Sequence, residues 1–367
     1  MAMNYYLDIN ITNKEFTMKK TIIHVHILLL AFFFLTAGSA FAESTPPVDN
    51  KTLQSGLSAV RIGGGISAGY FYASNPGEEI SDDAFLLSNL LVEVSSADED
   101  IPIGFVGAFG ETSTPSVLGA PENNTDFKVE YASLSLKPVK HMGIEMGLLQ
   151  PNSGFENTYT FNNKNVILGA VASQQPYNAY GARGSYEVGG ISFWGGYYKQ
   201  RLDDEEYNSP DYAWEAGING SVAGNDLSIY NYHIYRQRNL LGVVIERSMD
   251  NIDFAFNVDY WTWDNDVNDV YGSESSIGVA FYICPIFGSF SIPLRLEYIN
   301  QDKSEIYIES PATKQIYAAT ISPTWHFNEN AYVRAESAYI QADEAFSNDG
   351  QIKDNRINLA IELGYLF

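Results

Sequence analysis

The last twelve residues, Arg356 to Phe367, constrain the fold more than any other stretch. One set of alternate positions holds Ile357, Leu359, Ile361, Leu363, Tyr365 and Phe367; the other holds Asn358, Ala360, Glu362, Gly364 and Leu366. Alternate residues of a strand point to opposite faces, so this segment has an apolar face and a mostly polar or small one. Residues 251–263 repeat the pattern, with Ile252, Phe254, Phe256, Val258, Tyr260 and Thr262 against Asp253, Ala255, Asn257, Asp259 and Trp261. Strands of soluble domains run to about 5–6 residues. These segments are longer, and fit the roughly 9–11 residues of a tilted strand that crosses a bilayer.

The same period gives candidate strands near 58–72, 84–95, 101–110, 126–136, 142–150, 179–187, 190–200, 212–221, 226–236, 239–247, 251–263, 275–284, 290–300, 314–323, 331–342 and 356–367. Odd-to-even connections are long and polar: 111–125, 151–178, 201–211, 264–274, 301–313 and 343–355, with only Gln237-Arg238 tight. Even-to-odd connections are short, as at 137–141, Val188-Gly189 and Ala223-Gly224-Asn225. Long loops at one end and short turns at the other are the plan of a bacterial membrane barrel with both termini in the periplasm. The expected fold is all-β: a transmembrane, antiparallel, up-and-down β-barrel of about sixteen strands, with fourteen or eighteen as alternatives. Its C-terminal strand ends in Phe367. Closure is required in lipid, where an unpaired strand edge costs several kcal/mol per backbone group. The chain has 25 tyrosines, and such rings favour the two membrane interfaces. Tyr70, Tyr72, Tyr186, Tyr197, Tyr298, Tyr339 and Tyr365 fall near strand ends and are expected in girdles.

The N-terminus fits export. Met18-Lys19-Lys20 precedes an apolar core, Ile27 to Leu35, and small residues ending in Ala40-Phe41-Ala42. That is the layout of a secretory signal peptide, shorter than the roughly 20 apolar residues of a spanning helix. Residues 1–17 thus read as an extension ahead of a true start at Met18, and 18–42 as the signal peptide. Residues 43–56 are expected to be a flexible periplasmic segment, and 57–367 the barrel. A formal net charge of −24 argues against nucleic acid, which needs a basic footprint. An aromatic content of 14% argues against a disordered acidic chain. Cys284, the one cysteine, is expected as a small apolar residue on a strand.

Thr320 to Glu336, with its strand, aromatic turn and Arg334-x-Glu336 strand, resembles the penultimate hairpin of the OmpL-like β-barrel porins. Val129-Glu130-Tyr131-Ala132 through Gly154-Phe155-Glu156 is similar to their middle hairpin, which runs into a Gly-x-Glu loop. This chain has Gln150-Pro151-Asn152 where the family more often carries a basic or glycine-rich run. The resemblance covers most of 57–367. It implies passive diffusion of small solutes across the outer membrane of a Gram-negative bacterium and contact with lipid and lipopolysaccharide. It also implies insertion by the barrel-assembly machinery, with Leu363, Tyr365 and Phe367 as the assembly signal, and association as a homo-trimer.

Read by phase, the inner wall carries Lys128, Glu130, Glu145, Arg183, Asp253, Asp259, Arg295, Glu297, Arg334 and Glu336. Charged walls select by sign, and the acidic excess points to a mild cation preference. The bland reading is that Arg-x-Glu pairs merely stiffen the wall. Loop 151–178 contains Val166 to Ala172, an apolar run that must pack somewhere, either inside the barrel as a constriction or above it as a cap. The acidic runs 98–100, 203–206 and 264–269 are expected to be solvated. Asp264, Asp266 and Asn268 begin like a calcium loop, but Asp269 and Ser275 stand where it needs Gly and Glu, so no metal site is expected. Nor is a cofactor. Past residue 42 the histidines are His141, His233 and His326: His141 and His326 are expected in periplasmic turns, the wrong end for surface hydrolysis, and His233 on a strand with no Asp or Ser at a persuasive spacing. A diffusion porin is therefore the leading reading, ahead of a plugged barrel acting as an adhesin or structural protein, and further ahead of a surface hydrolase.

Overall fold

The computed structural model describes residues 52–55, 58–76, 81–96, 102–119, 127–199, 212–235, 237–263, 275–301, 307–308, 313–348 and 351–367. The expected extension, the signal peptide and the acidic runs 98–100, 203–206 and 264–269 lie outside the described residues. Sixteen antiparallel strands close into a barrel. They are β1 Ser58–Ala73, β2 Asp83–Ser96, β3 Ile103–Thr112, β4 Lys128–Leu136, β5 Met142–Leu149, β6 Ala179–Val188, β7 Ile191–Lys199 and β8 Tyr212–Val222. The second half comprises β9 Asn225–Ile234, β10 Arg238–Met249, β11 Ile252–Trp263, β12 Ser275–Phe287, β13 Phe290–Ser291 with Leu294–Asn300, β14 Gln315–Ile321 with Thr324–His326, β15 Ala331–Asn348 and β16 Gln351–Leu366. Each strand pairs with its neighbours in sequence. The cylinder shuts where β16 pairs with β1, Tyr365 opposite Ile66 and Leu359 opposite Tyr72.

Short turns have a local cause. A two-residue hairpin loop in a type I′ turn needs positive φ at both central residues. Gly189 and Gly190 (φ 60° and 78°) supply it between β6 and β7, and Ala223 with Gly224 (φ 53° and 75°) between β8 and β9. The interruptions in β13 and β14 fall at Pro293 and Pro323, residues that cannot donate to a ladder. Their carbonyls still pair, Pro293 accepting from the Ser322 N–H at 2.9 Å and Pro323 from the Ala335 N–H at 3.0 Å. The alternation expected from the sequence matches the two faces. Leu359, Ile361, Leu363 and Tyr365 are exposed on the outside, while Arg356, Asn358, Ala360 and Glu362 are buried within. The seven tyrosines expected in girdles all turn outward. Tyr70, Tyr72, Tyr197 and Tyr298 sit toward the long-loop end, and Tyr186 and Tyr365 toward the turn end.

Three boundaries differ from expectation. The segment 343–355 is no loop: β15 and β16 pair through Asn348 and Gln351, with a register shift between Gln341 and Phe346 that breaks the alternation there. His326 ends β14 rather than lying in a turn, opposite Tyr332. Within the segment expected to be flexible, Thr52–Ser55 forms a short strand against Ser58 to Arg61. No helix among the described residues is long and apolar enough to cross a membrane.

An arginine facing hydrocarbon at mid-depth on a barrel strand costs about 2–4 kcal/mol. Ile361→Arg is expected to lower stability in vesicles by about that amount, read as a lower urea midpoint. An unchanged midpoint would mean that this face does not meet hydrocarbon.

The loop-filled lumen as candidate functional site

The connection from Leu149 to Ala179 folds inward instead of capping the barrel. Its backbone groups have no ladder to join, and a buried backbone donor or acceptor must find a partner. Side chains of the inner wall supply the partners. Glu336 on β15 accepts from the N–H groups of Val166 and Ile167. Glu297 on β13 accepts from Val171 N–H at 3.0 Å. Arg295 donates to the Ile167 carbonyl at 2.8 Å and to Glu156 Oε1 at 2.7 Å, and lies 3.0 Å from Glu297. Glu156 in turn accepts from Gly169 N–H at 2.7 Å. Arg334 donates to the Asn163 carbonyl at 3.0 Å and lies over the Tyr332 ring. The apolar run Val166 to Ala172 is buried with the inward-facing Tyr282, Ala280 and Ile299.

The ends of the loop are held in the same way. Thr160, in a single 3-10 turn, donates through its hydroxyl to Glu362 at 2.7 Å, and its N–H reaches Asn89 at 2.6 Å. Arg183 binds the Gln150 carbonyl at 2.9 Å, and Glu215 accepts from Asn152 N–H at 3.3 Å. The Gln150-Pro151-Asn152 departure is thus anchored by wall residues of β6 and β8. Gly154 has φ 90°, and a Cβ there would meet Gln175 Oε1 at 1.8 Å. Gln175 is fixed by Asn257 at 3.0 Å and Asp259 at 2.8 Å. Burial pushes the hydroxyl of Tyr159 in this loop above its usual range.

A second loop joins the first. Leu168 N–H donates to the Pro115 carbonyl and Val117 N–H to the Leu168 carbonyl, each at 2.9 Å. Arg356 on β16 donates to the carbonyls of Leu118 at 2.8 Å and Gly119 at 3.0 Å. Loops 113–119 and 151–178 therefore fill the lumen beside β13 to β16 and β1 to β2.

Beside β8 to β12 the lumen is open. A cavity of about 620 Å³ toward the turn end is lined by Lys164, Asp226, Glu246, Asp253, Tyr282 and Cys284, among others. A second of about 350 Å³ is lined by Asn152 to Thr158 of the loop and by Asn219, Ser228, Val244 and Glu246 of the wall. Phe155 and Glu246 border both.

The ten residues read as inner-wall charges stand in inward phase, in several settings. Arg295, Glu297, Arg334, Glu336 and Asp259 are buried under the loop. Loop backbone takes up the bonding capacity of the first four, while Asp259 accepts from Gln175, Tyr230 and Asn257. Glu130 is buried against Thr112, while Lys128, opposite Gly110, is exposed at the loop end of β4. Glu145 pairs with Arg183 at 2.6 Å and Asp253 with Lys164 at 2.8 Å. Cys284 is buried and faces inward. His233 turns outward against Trp214, ring centres 5.1 Å apart. Sequence reasoning missed Glu156, Glu215, Glu246, Arg356 and Glu362. Glu362 and Glu246 stand in inward phase, and Glu156 is the acid of the Gly-x-Glu loop, so alternation and the loop motif held the signal. No group of three or more His, Cys, Asp or Glu among the described residues is arranged to hold a metal.

Residues 59–367 match the family described as "Putative beta-barrel porin-2, OmpL-like". The chain belongs to this family. No match was found among curated proteins. Among solved structures it is similar to in-vitro folded OmpT of Vibrio cholerae, at 12% identity over 86% of this chain and 100% of that one, with a TM-score of 0.60. OmpT is also known in a trimer form. The outer membrane channel DcaP of Acinetobacter baumannii is 14% identical over 86% and 99%, TM-score 0.56. OprD of Pseudomonas aeruginosa is 9% identical over 84% and 95%, TM-score 0.51. At these identities the structures establish the fold. Together with the family they make the protein an outer-membrane porin.

Breaking one partner of a buried charge network is strongly destabilising, by about 3–5 kcal/mol. Arg295→Met, which strands Glu156 and Glu297, is expected to lower stability by a comparable amount, and to open bonds near Glu156 and Ile167 to added protease. Unfolding in urea and mapping of cleavage sites in vesicles check both.

Proposed function

We propose that the protein is a passive diffusion channel for small hydrophilic solutes that prefers cations. The observation that carries this is the division of charge inside the barrel. Arg295, Arg334 and Arg356 are bound to loop backbone, and Arg183 is bound to Glu145. Among the described residues, Lys164 is the one cation lining the larger cavity, and it is paired with Asp253. The described lining of the smaller cavity has Glu156 and Glu246 and no lysine or arginine. The described lining of the two cavities is therefore acidic on balance, while Arg238 of β10 lies apart from them over the Trp261 ring, and an acidic lining selects cations.

The rest of the assignment is of the same kind. Residues 18–42 direct export, both termini and the short turns face the periplasm, and the long loops face outward toward lipopolysaccharide. Leu363, Tyr365 and Phe367, exposed on the outer face of the closing strand, are the segment for the assembly machinery to read. The trimer form of OmpT favours a homo-trimer here too. A surface hydrolase is disfavoured because His233 faces outward and His141 and His326 lie at the turn end, away from the long loops.

The test is refolded protein in a planar bilayer with a KCl gradient. A reversal potential of cation-selective sign is expected, and an anion-selective sign overturns the preference. No conductance at all would favour a plugged barrel. Deleting 160–174 is expected to raise single-channel conductance, because those residues occupy the lumen.

A further inference from the structure

We propose that the junction of the two cavities, between Phe155 and Glu246, is a recognition site for small organic cations bearing an ammonium or guanidinium group. This rests on the cation-channel reading and narrows it to a solute class.

The junction opposes two kinds of surface. On the loop side stands the ring of Phe155, held by Tyr282 with ring centres 4.4 Å apart and a 53° tilt. Tyr282 is itself buried and borders the larger cavity. On the wall side stands Glu246, in inward phase on β10, exposed, and bordering both cavities. The acids around it are engaged. Asp226 accepts from Ser221, Asp253 pairs with Lys164, and Glu156 holds Gly169 N–H and Arg295. Among the described residues Glu246 has no hydrogen-bond or ion-pair partner, so its carboxylate is available to a solute in transit.

A small inorganic cation can use the carboxylate, but it keeps most of its water and draws little from an aromatic ring. An alkylammonium or guanidinium ion can use both sides at once. It donates N–H groups to Glu246 and lays a weakly hydrated face against Phe155. A void of about 620 Å³ on one side and about 350 Å³ on the other admits an organic ion of that size. An anion of equal size meets Glu246 with nothing to offset the repulsion.

The experiment measures reversal potentials of the refolded full chain in planar bilayers. KCl on one side faces guanidinium chloride or ethylammonium chloride on the other. For the natural protein the permeability of each organic ion relative to potassium is expected to exceed the ratio of their mobilities in free solution. Glu246→Gln and Phe155→Leu are each expected to reduce that excess by about fivefold or abolish it. A relative permeability at or below the mobility ratio, in a protein that still prefers potassium over chloride, overturns this inference and leaves the channel reading standing. An excess that survives both substitutions also overturns it. Chloride preference in the natural protein overturns the reading on which it rests. Phe155→Leu removes the ring without touching a charge, so it decides the matter should Glu246→Gln fail to refold.

Discussion

Everything inside this barrel depends on how a stretch of loop backbone meets its hydrogen-bonding needs where no strand can pair with it. Loop 151–178 brings N–H and C=O groups into a space already lined by the barrel wall. Two Arg-x-Glu pairs, one on β13 and one on β15, meet them: carboxylates take the amides of Val166, Ile167 and Val171, and guanidiniums take the carbonyls of Asn163 and Ile167. Alternate residues on a strand face the same way, so an x between Arg and Glu places acceptor and donor side by side on the inner face. Charged partners make stronger hydrogen bonds than neutral ones, which suits a segment anchored to the barrel wall through side chains.

The clamp also explains the electrostatics of the open side. The inward arginines of β13 to β16 are turned onto loop backbone: Arg295 holds the Ile167 carbonyl beside Glu156 and Glu297, Arg334 the carbonyls of Thr160 and Asn163, and Arg356 those of Asn75, Leu118 and Gly119. Strands β9 to β11 present Asp226, Glu246 and Asp253 to the larger cavity. The loop thus does two things: it narrows the lumen, and it engages the inward-facing Arg295 and Arg334.

Much of this was legible in the sequence, for reasons that can be located. Period-two alternation in 251–263 and 356–367 fixed both the strands and the inward phase, because one face meets hydrocarbon and the other does not. The loop-and-turn alternation revealed the up-and-down topology. What escaped was of a different nature. The register shift between Gln341 and Phe346 hid the continuation of β15, since a bulge moves every later side chain to the other face. Pro323 concealed the last three residues of β14. The partners of Arg295 and Glu336 were unreadable because they are backbone atoms of a distant segment, and no side-chain pattern encodes a carbonyl.

The run-on of β15 and β16 past the tyrosine belt has its own consequence. Beyond Tyr339 the exposed positions are mostly polar, with Asp343 and Glu344 on one strand and Gln351, Asp354 and Asn355 on the other. The bulge between Gln341 and Phe346 shortens the ribbon, so its reach is set by the six residues Gln351 to Arg356 of β16, roughly 20 Å at about 3.3 Å each. The ribbon is braced at its side: Pro76 bridges to Ser347, and Arg356 lies over the Phe346 ring at 4.5 Å. The result is a closing seam that stays tied beyond Tyr339, so fraying of the barrel at its first-to-last junction has to break the contacts of Pro76 and Arg356 before it reaches the ladder between β16 and β1.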